Sequence, residues 1–330
     1  MSTTAGSTTG PLLDAADEGP TLRRHRRARL SDRDRRRLWT GLAFISPWAV
    51  GVCVFVVYPI VYSFVISLTR YSGMNSPEFV GFTNYLSAAI DPLVGTSIAN
   101  TALYAVVAVP CSLIVALVVA VAMNQDLREV RWYRTALYIP SLVPTFALGF
   151  IFIVFVNPQF GVVNQALRLF GAEDVNLLGD PQTIKFVIVA MAQLAAGNAA
   201  LIFLAGLRAV PPSLYEAARV DGAGPVRQFV SLTLPLISPV ILFNLITGIS
   251  SALQIFTEGY VVSSGVSDAV GGPDNGTLFY MLYVYRNAFS YASLGYASAL
   301  AFLLFVVGVT LSAFVYVLSK RFVNYDLDAG

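Results

Sequence analysis

Six long apolar stretches constrain this chain more than any other feature of its sequence. Each is at least as long as the roughly 20 helical residues that cross a hydrocarbon core of about 30 Å. Charged residues make up 12% of the chain, about half of what is usual in soluble domains, and no period-two alternation indicates a barrel. The sequence therefore predicts an all-α integral membrane protein with six transmembrane helices. The predicted spans are 40–67, 98–123, 135–156, 184–207, 239–262 and 297–318.

The distribution of basic residues predicts the orientation of these spans. Nine of the 21 lysines and arginines precede the first span, and such residues collect on the cytoplasmic side of membrane proteins. With the N-terminus inside and six crossings, 17 of the 21 fall on the cytoplasmic side. We therefore expect a multi-pass protein of the cell (plasma or inner) membrane with both termini in the cytoplasm. The basic residues on the other side would be Arg70, Arg168, Lys185 and Arg286.

The arginine-rich N-terminus is predicted to be a tail outside the membrane domain. Residues 1–20 are rich in Ser, Thr, Gly and acidic residues, a composition typical of disorder. A signal peptide and a nucleic-acid-binding tail are alternatives, but no small-residue cleavage site is evident and the following apolar stretch is too long for a signal peptide. We expect a disordered, basic cytoplasmic tail at 1–37, a six-helix membrane domain at 38–322, a cytoplasmic tail at 323–330, and no nucleic-acid partner.

The sequence lacks the residue patterns of the common enzyme classes. Its single histidine, His25, lies in the basic tail, so no Ser-His-Asp triad is expected. Cys53 and Cys111 both fall inside predicted spans and suggest neither a disulfide framework nor a zinc site. A phosphate-binding loop requires Gly-Lys-Ser/Thr, whereas Lys185 and Lys320 are followed by Phe and Arg. We therefore predict no catalytic residue, no metal site and no cofactor bound by this chain.

A polar segment at 208–239 separates the fourth and fifth spans and carries the signals of two short helices. Ser213 is predicted as the N-cap of the first helix, with Glu216 closing a capping box three residues later. Gly222 is predicted to end this helix in the left-handed conformation. The Gly-Pro pair at 224–225 predicts the start of a second helix, and later prolines are expected to turn the chain back into the membrane.

The first of these helices is predicted to be a docking element on the cytoplasmic face. The alternative interpretation is an ordinary connecting loop with capped ends. Two features oppose the loop interpretation. Ala217 and Ala218 have small side chains, so another protein can approach the helix closely. Tyr215 and Val220 add apolar contacts that a merely solvated loop does not need.

This segment resembles a known family motif, the "EAA" cytoplasmic loop in the permease subunits of binding-protein-dependent ABC importers. The Asp-Gly-Ala sequence at 221–223 resembles the carbohydrate branch, which includes the maltose and glycerol-3-phosphate permeases. Similar stretches occur along most of the chain, including "FVGFTNY", "ALYIPSLVP" and "LIFLAGLRAVPPSLYEAA". The residues that carry the resemblance are Glu216, Ala217, Ala218, Asp221, Gly222, Ala223, Phe229, Leu234, Pro235, Leu236 and Pro239.

The resemblance implies a type I (MetI-like) permease fold and a set of partner subunits. In that family the loop forms a coupling helix that sits in a cleft of an ATPase subunit and transmits nucleotide-driven closure to the membrane helices. The implied partners are a second permease encoded as a different chain, two ATPase subunits that use ATP and Mg²⁺, and an extracytoplasmic sugar-binding protein. A sugar or polyol substrate follows from the resemblance alone. The implied coupling residues are Tyr215, Glu216, Ala217, Ala218, Asp221, Gly222 and Ala223.

Polar residues inside the fourth and fifth spans predict a solute pathway, because polar side chains at membrane depth are costly. In the fifth span four of them recur at spacings of three and four, so a continuous helix would place them on one face. In relatives of the maltose type, the helices corresponding to these two spans line the sugar cavity. The predicted pathway residues are Gln193, Gly197, Asn198, Ser250, Gln254, Thr257 and Glu258.

Alternatives remain for individual residues and for the whole chain. The hydroxyl groups of Thr247, Ser250 and Ser251 could instead bond to their own helix or to neighbouring helices, and Glu258 could face external water. An ion-gradient-driven secondary transporter is the alternative function, but it would favour more buried acids or inverted repeats. An importer of a phosphorylated polyol such as glycerol-3-phosphate would need basic residues in the cavity, and the spans supply none at membrane depth.

Overall fold

A computed structural model describes residues 32–125, 130–171, 173–266 and 271–320. The predicted C-terminal tail at 323–330 and most of the predicted N-terminal tail lie outside these ranges. The chain divides into two compact units, Met1–Pro59 and Ile60–Gly330, which are described separately.

The described part of the first unit is helical. It contains α1 (Asp32–Val52), which includes Pro47, and a π-helical turn at Cys53–Val57. Near the start of α1, Arg36, Arg37 and Trp39 are exposed.

The second unit is a helical body with one small sheet. The antiparallel strands pair Thr69 with Phe79 and Arg70 with Glu78. The elements up to the first internal gap are α2 (Tyr58–Ser67), β1 (Thr69–Arg70), β2 (Glu78–Phe79), α3 (Thr83–Ile90) and α4 (Pro92–Met123). Those up to the polar segment are α5 (Val130–Leu142), α6 (Thr145–Phe155), α7 (Val162–Leu169), α8 (Thr183–Ala192), a 3₁₀ turn at Gln193–Ala196 and α9 (Gly197–Ala209).

The polar segment and the C-terminal helices complete this unit. The segment contains α10 (Pro212–Val220), α11 (Pro225–Gln228), a π-helical turn at Phe229–Thr233 and α12 (Leu234–Leu236). The following elements are α13 (Ser238–Leu253), α14 (Thr257–Val266), a 3₁₀ turn at Pro273–Asn275, α15 (Tyr280–Tyr285), a π-helical turn at Arg286–Ser290 and α16 (Leu294–Ser319).

Four of the described helical segments are long and apolar enough to cross a membrane alone, and two bent helix pairs raise the number to six if each pair is one span. The single segments agree with the first, second, fourth and sixth predicted spans. They are Arg36–Ser67, Pro92–Met123, Thr183–Ala209 and Leu294–Ser319.

The predicted third and fifth spans are not single helices: the first bent pair divides the third span, and a break at 254–256 divides the fifth, whereas the bend of the second pair agrees with the predicted turn back into the membrane. The first pair bends by 98° between Leu142 and Thr145, because Pro144 is extended and disfavours a helical conformation at the residue before it. The second pair joins Pro225–Leu236 to Ser238–Leu253 at 66°. The predicted fifth span at 239–262 is wrong as one helix, since α13 ends at Leu253.

Small residues bring α4 and α9 close together at the centre of the second unit. Ala116, Ala120 and Ala200 are fully buried in one cluster, and small side chains four residues apart allow such close helix packing. A β-carbon added at Gly197 would lie 2.8 Å from Ser141 Oγ, so the glycine permits close contact with α5. These contacts hold the helices that surround the candidate site.

A carboxylate joins three elements near the start of α4. Asp91 caps this helix by accepting a hydrogen bond from the Leu93 amide at 2.9 Å. It also accepts hydrogen bonds from the hydroxyl groups of Tyr283 in α15 and Tyr296 in α16. Burial acts to raise the pKa of Asp91, but these hydrogen bonds outweigh it and hold the pKa below its usual value.

Candidate functional site

The helix α10 begins two residues earlier than predicted. Its N-cap is Pro211, and Pro212 takes the first helical position, where the absence of an amide hydrogen costs nothing. The predicted capping box is therefore wrong, because Ser213 lies inside the helix and no side chain caps its start.

The C-terminal end of α10 agrees with the prediction. Gly222 has a φ of 77°, and its amide donates to the Arg219 carbonyl at 3.1 Å, while the Ala223 amide donates to the Ala218 carbonyl at 2.9 Å. This pair of bonds is the Schellman motif, which ends a helix with a sharp, fixed turn. Gly224 and Pro225 then begin α11 as predicted.

One side of α10 is open and the other is attached to the membrane domain. No residue of α10 is buried, and Val220 is 88% exposed. Tyr215 is half-buried and packs against the cluster that joins α4 and α9, and its hydroxyl group lies 2.9 Å from Thr233 Oγ1. The structure therefore places Tyr215 on the side of α10 that contacts the membrane domain.

The remaining predicted coupling residues lie along α10 and the turn that ends it. Those that are exposed are Glu216, Ala217, Asp221 and Gly222, whereas Ala218 and Ala223 are half-buried. Exposed Val226 and Val230 extend the apolar surface beyond the turn. The arrangement presents a short, rigid helix with small and apolar side chains, which is suited to insertion into a cleft.

A cavity of about 440 Å³ lies among α4, α8, α9, α13 and the start of α14. It contains four of the predicted pathway residues, namely Asn198, Gln254, Thr257 and Glu258. The sequence did not predict four other polar lining residues as pathway positions, and of these only Thr247 and Ser251 were weighed as groups that bond to helices. They are Ser112, Asn244, Thr247 and Ser251.

The break between α13 and α14 places polar residues at this cavity. Ser250, Gln254, Thr257 and Glu258 do not share one helix face as predicted, because Gln254 is the C-cap of α13 and α14 begins only at Thr257. Helix ends carry backbone groups without an intrahelical partner, and such groups are tolerated at membrane depth where they line a cavity. Glu258 lies in the first turn of α14, where the helix dipole favours a negative charge.

Three predicted pathway residues do not line this cavity. Gln193 accepts a hydrogen bond from Ser112 at 3.0 Å and donates to the Val189 carbonyl at 2.7 Å, so it joins helices. Gly197 packs against Ser141. Ser250 lies at a second cavity of about 530 Å³ beside α16 and donates to the Ile246 carbonyl of its own helix.

The cavity carries hydrogen-bonding groups and a single ionisable acid. Its described lining includes three amide side chains, several hydroxyl groups and Glu258, and none of the described lining residues is Lys, Arg or His. Thr247 donates to the carbonyls of its own helix, as the alternative interpretation expected. Among the described residues, no group of three or more His, Cys, Asp or Glu side chains could hold a metal ion.

The bent apolar helices, the polar cavity among them and the exposed capped helix define a membrane-embedded transport subunit of the ABC permease class. Residues 108–324 match the family described as "Binding-protein-dependent transport system inner membrane component", and the chain belongs to this family. It is thus an inner-membrane component of a transport system.

Several relatives share most of the chain's length. The "Probable ABC transporter permease protein YesP" of Bacillus subtilis is 35% identical over 87% of this chain and 92% of the relative. The "Sulfoquinovosyl glycerol transport system permease protein SmoG" of Agrobacterium fabrum is 35% identical over 83% and 88% of the two chains. The "Lactose transport system permease protein LacF" of Rhizobium radiobacter is 33% identical over 82% and 91%.

A solved structure shows the same fold. A chain in the crystal structure of a bacterial alginate ABC transporter, in complex with an alginate pentasaccharide-bound periplasmic protein, superposes with a TM-score of 0.76. The aligned region covers 88% of this chain and 96% of that chain at 21% identity. The predicted MetI-like permease fold is therefore confirmed.

Proposed function

We propose that this chain moves a neutral sugar or polyol, delivered by an external binding protein, into the cytoplasm by alternating access. The observation that carries this proposal is the geometry of α10, which ends in a fixed turn, has no buried residue and contacts the membrane domain through Tyr215. A helix with these properties transmits force between a partner subunit and the membrane helices.

The contacts of α10 define how such force reaches the cavity. Tyr215 joins α10 to Thr233 and to the packed cluster of α4 and α9. Both of those helices also line the cavity. Displacement of α10 by one of two partner ATPases, which bind ATP and Mg²⁺, would therefore shift the cavity walls. The coupling positions are Tyr215, Glu216, Ala217, Ala218, Asp221, Gly222 and Ala223.

The cavity chemistry favours a neutral, hydroxyl-rich solute. Amide and hydroxyl side chains donate and accept hydrogen bonds, and Glu258 accepts strong ones from hydroxyl groups. The volume lies within the roughly 300–1,000 Å³ of typical small-molecule sites. Relatives 32–33% identical to this chain are named for lactose and for trehalose/maltose transport, which supports the same substrate class.

Reconstitution of the whole complex tests this proposal. The chain would be co-expressed with a second permease, an ATPase and a binding protein, and the proteoliposomes would be loaded with ATP on the cytoplasmic side. We expect ATP-dependent uptake of a labelled neutral sugar, chosen by titrating sugars against the binding protein. Uptake that persists without ATP and stops when an ion gradient is dissipated would instead support a secondary transporter.

A phosphorylated polyol is the second candidate, because one relative, 32% identical to this chain, is named as an sn-glycerol-3-phosphate permease. The described lining of the cavity opposes it, since Glu258 would repel a phosphate and no basic side chain would compensate. Uptake of labelled glycerol-3-phosphate in the same vesicles, with neutral sugars excluded, would reject the neutral-solute proposal.

A further inference from the structure

Four aromatic side chains form a continuous line of ring contacts beside the cavity. The ring of Phe289 lies 4.9 Å from that of Tyr285, and Tyr285 lies 5.0 Å from Phe256 and 5.7 Å from Tyr260. Phe256 and Tyr260 stack at 5.5 Å with 22° between their planes. We call Phe256, Tyr260, Tyr285 and Phe289 the aromatic ladder.

The two ends of the aromatic ladder lie in different surroundings. Phe256 lines the cavity beside Thr257 and Glu258. Phe289 lies in the π-helical turn before α16, within the segment predicted to be external, and is 73% exposed. The ladder therefore links an exposed ring to the polar lining of the cavity.

Ordinary core packing does not account for these rings. Core aromatic residues of the same region, such as Phe279 and Tyr283, are buried, whereas Phe256, Tyr260 and Tyr285 are only half-buried and Phe289 is exposed. The hydroxyl groups of Tyr260 and Tyr285 have no hydrogen-bond partner among the described residues. Each ring thus keeps part of its surface exposed beside its ring neighbours, and each hydroxyl group could contact a solute.

We propose that the aromatic ladder is a stacking path along which a saccharide passes between the external face and the cavity. One face of a pyranose ring presents C–H groups, and an aromatic ring presents a negative face that attracts their partial positive charge. The hydroxyl groups at the edge of the sugar ring would remain available for hydrogen bonds with the tyrosine hydroxyl groups. Ring centres 4.9–5.7 Å apart would let a sugar unit contact the next ring before it leaves the previous one. The proposal rests on the sugar transport and the orientation proposed above.

Leucine substitution of the ladder residues tests the path in proteoliposomes of the whole complex. The probes are labelled maltose, trehalose and lactose, each with saturating loaded binding protein. Phe289→Leu and Tyr285→Leu remove a ring but keep an apolar side chain, and Phe289→Tyr keeps the ring. Phe314→Leu is the matched control, because Phe314 is 62% exposed on α16 and has no ring partner among the described residues.

We expect Phe289→Leu and Tyr285→Leu to lower the uptake rate about three- to tenfold. Stimulated ATP hydrolysis should persist, so that less sugar enters per ATP, while Phe289→Tyr and Phe314→Leu stay near wild type. If the wild-type complex imports sugar and the Phe289→Leu and Tyr285→Leu variants import it at the same rate, the stacking path is rejected and the proposed function stands. A defect that appears only as weaker affinity for the binding protein would also reject it, in favour of a protein contact. If the wild-type complex imports none of the three sugars and takes up a charged solute instead, the proposed function fails as well.

Discussion

Glu258 is a residue whose surroundings its sequence position left open. The sequence placed it near the end of a predicted span, where external water was an alternative to the pathway. The break after Leu253 starts a new helix at Thr257 and brings Glu258 to the cavity lining. The side chain was identifiable from the sequence, but its surroundings depend on a helix break that apolar periodicity does not reveal.

Replacing Glu258 tests its contact with solute. We expect Glu258→Gln to lower the uptake rate at limiting solute by about tenfold, because a charge-assisted hydrogen bond contributes roughly 1.5–3 kcal/mol. Initial uptake rates in proteoliposomes would measure the change. Ser250→Ala is the control, since Ser250 lies at the second cavity and bonds to its own helix. Equal rates for Glu258→Gln and wild type at every solute concentration would remove Glu258 from the site.

Asp91 predicts a pH dependence of stability. Burial acts to raise its pKa, but the hydrogen bonds from Tyr283, Tyr296 and the Leu93 amide leave the folded-state pKa below the unfolded value of about 3.9. The stabilisation is therefore complete above the unfolded pKa and is lost as the pH falls through the folded-state pKa. Below about pH 4 the wild-type complex should lose thermal stability more steeply than Asp91→Asn.

Thermal unfolding of the detergent-solubilised complex between about pH 3 and pH 7 would measure this difference. Glu173→Gln is a suitable control, because Glu173 is exposed and has no hydrogen bond or ion pair among the described residues. Parallel acid profiles for wild type and Asp91→Asn would contradict the stabilising role of the carboxylate.

At the scale of elements, local turn chemistry was predictable and helix continuity was not. Gly222 and the Gly224-Pro225 pair fix one helix end and one helix start through their own backbone preferences. The first position of α10 was misassigned because a proline can replace a side-chain cap. The break at 254–256 was missed because its residues are compatible with a helix and tertiary aromatic packing surrounds Phe256.

The Schellman turn predicts which glycine of the segment matters for coupling. Gly222 has a φ of 77°, and an L-residue in this conformation costs about 1–2 kcal/mol. We expect Gly222→Asp to loosen the end of α10 and to reduce both ATPase binding and uptake. Co-purification of the ATPase and uptake by membrane vesicles would measure the two effects.

Gly224→Ala provides a control two residues away. Gly224 has a φ of −69°, and an added β-carbon meets no atom within 4 Å at either glycine. The two positions therefore differ mainly in backbone conformation, and Gly222→Ala beside Gly224→Ala separates this difference from the charge that Asp adds. Intact ATPase binding and uptake in Gly222→Asp would refute the coupling role of this turn.

At the scale of the whole molecule, composition and charge predicted the class of fold and the later prolines of the polar segment predicted a turn into the membrane, but the bend angles and the break at 254–256 had to come from the structure. The length and hydropathy of a segment follow directly from its own residues, so the spans could be located from the sequence. The 98° and 66° bends depend on how neighbouring helices pack around prolines. The polar cavity instead lies at the break between α13 and α14, which apolar length does not reveal, and this is why only part of its lining was predicted.

The proposed orientation places α10 in the cytoplasm and the π-helical turn at Arg286–Ser290 outside. Cysteine labelling can test both positions after Cys53 and Cys111, which are exposed, are replaced by serine. Val220→Cys and Phe289→Cys are suitable probes, since the parent side chains are 88% and 73% exposed. A membrane-impermeant maleimide should label Phe289→Cys in spheroplasts and Val220→Cys only in inside-out vesicles. The reverse pattern would invert the topology and place α10 out of reach of a cytoplasmic ATPase. It would also leave the charge asymmetry unexplained, because 17 of 21 basic residues would then lie outside.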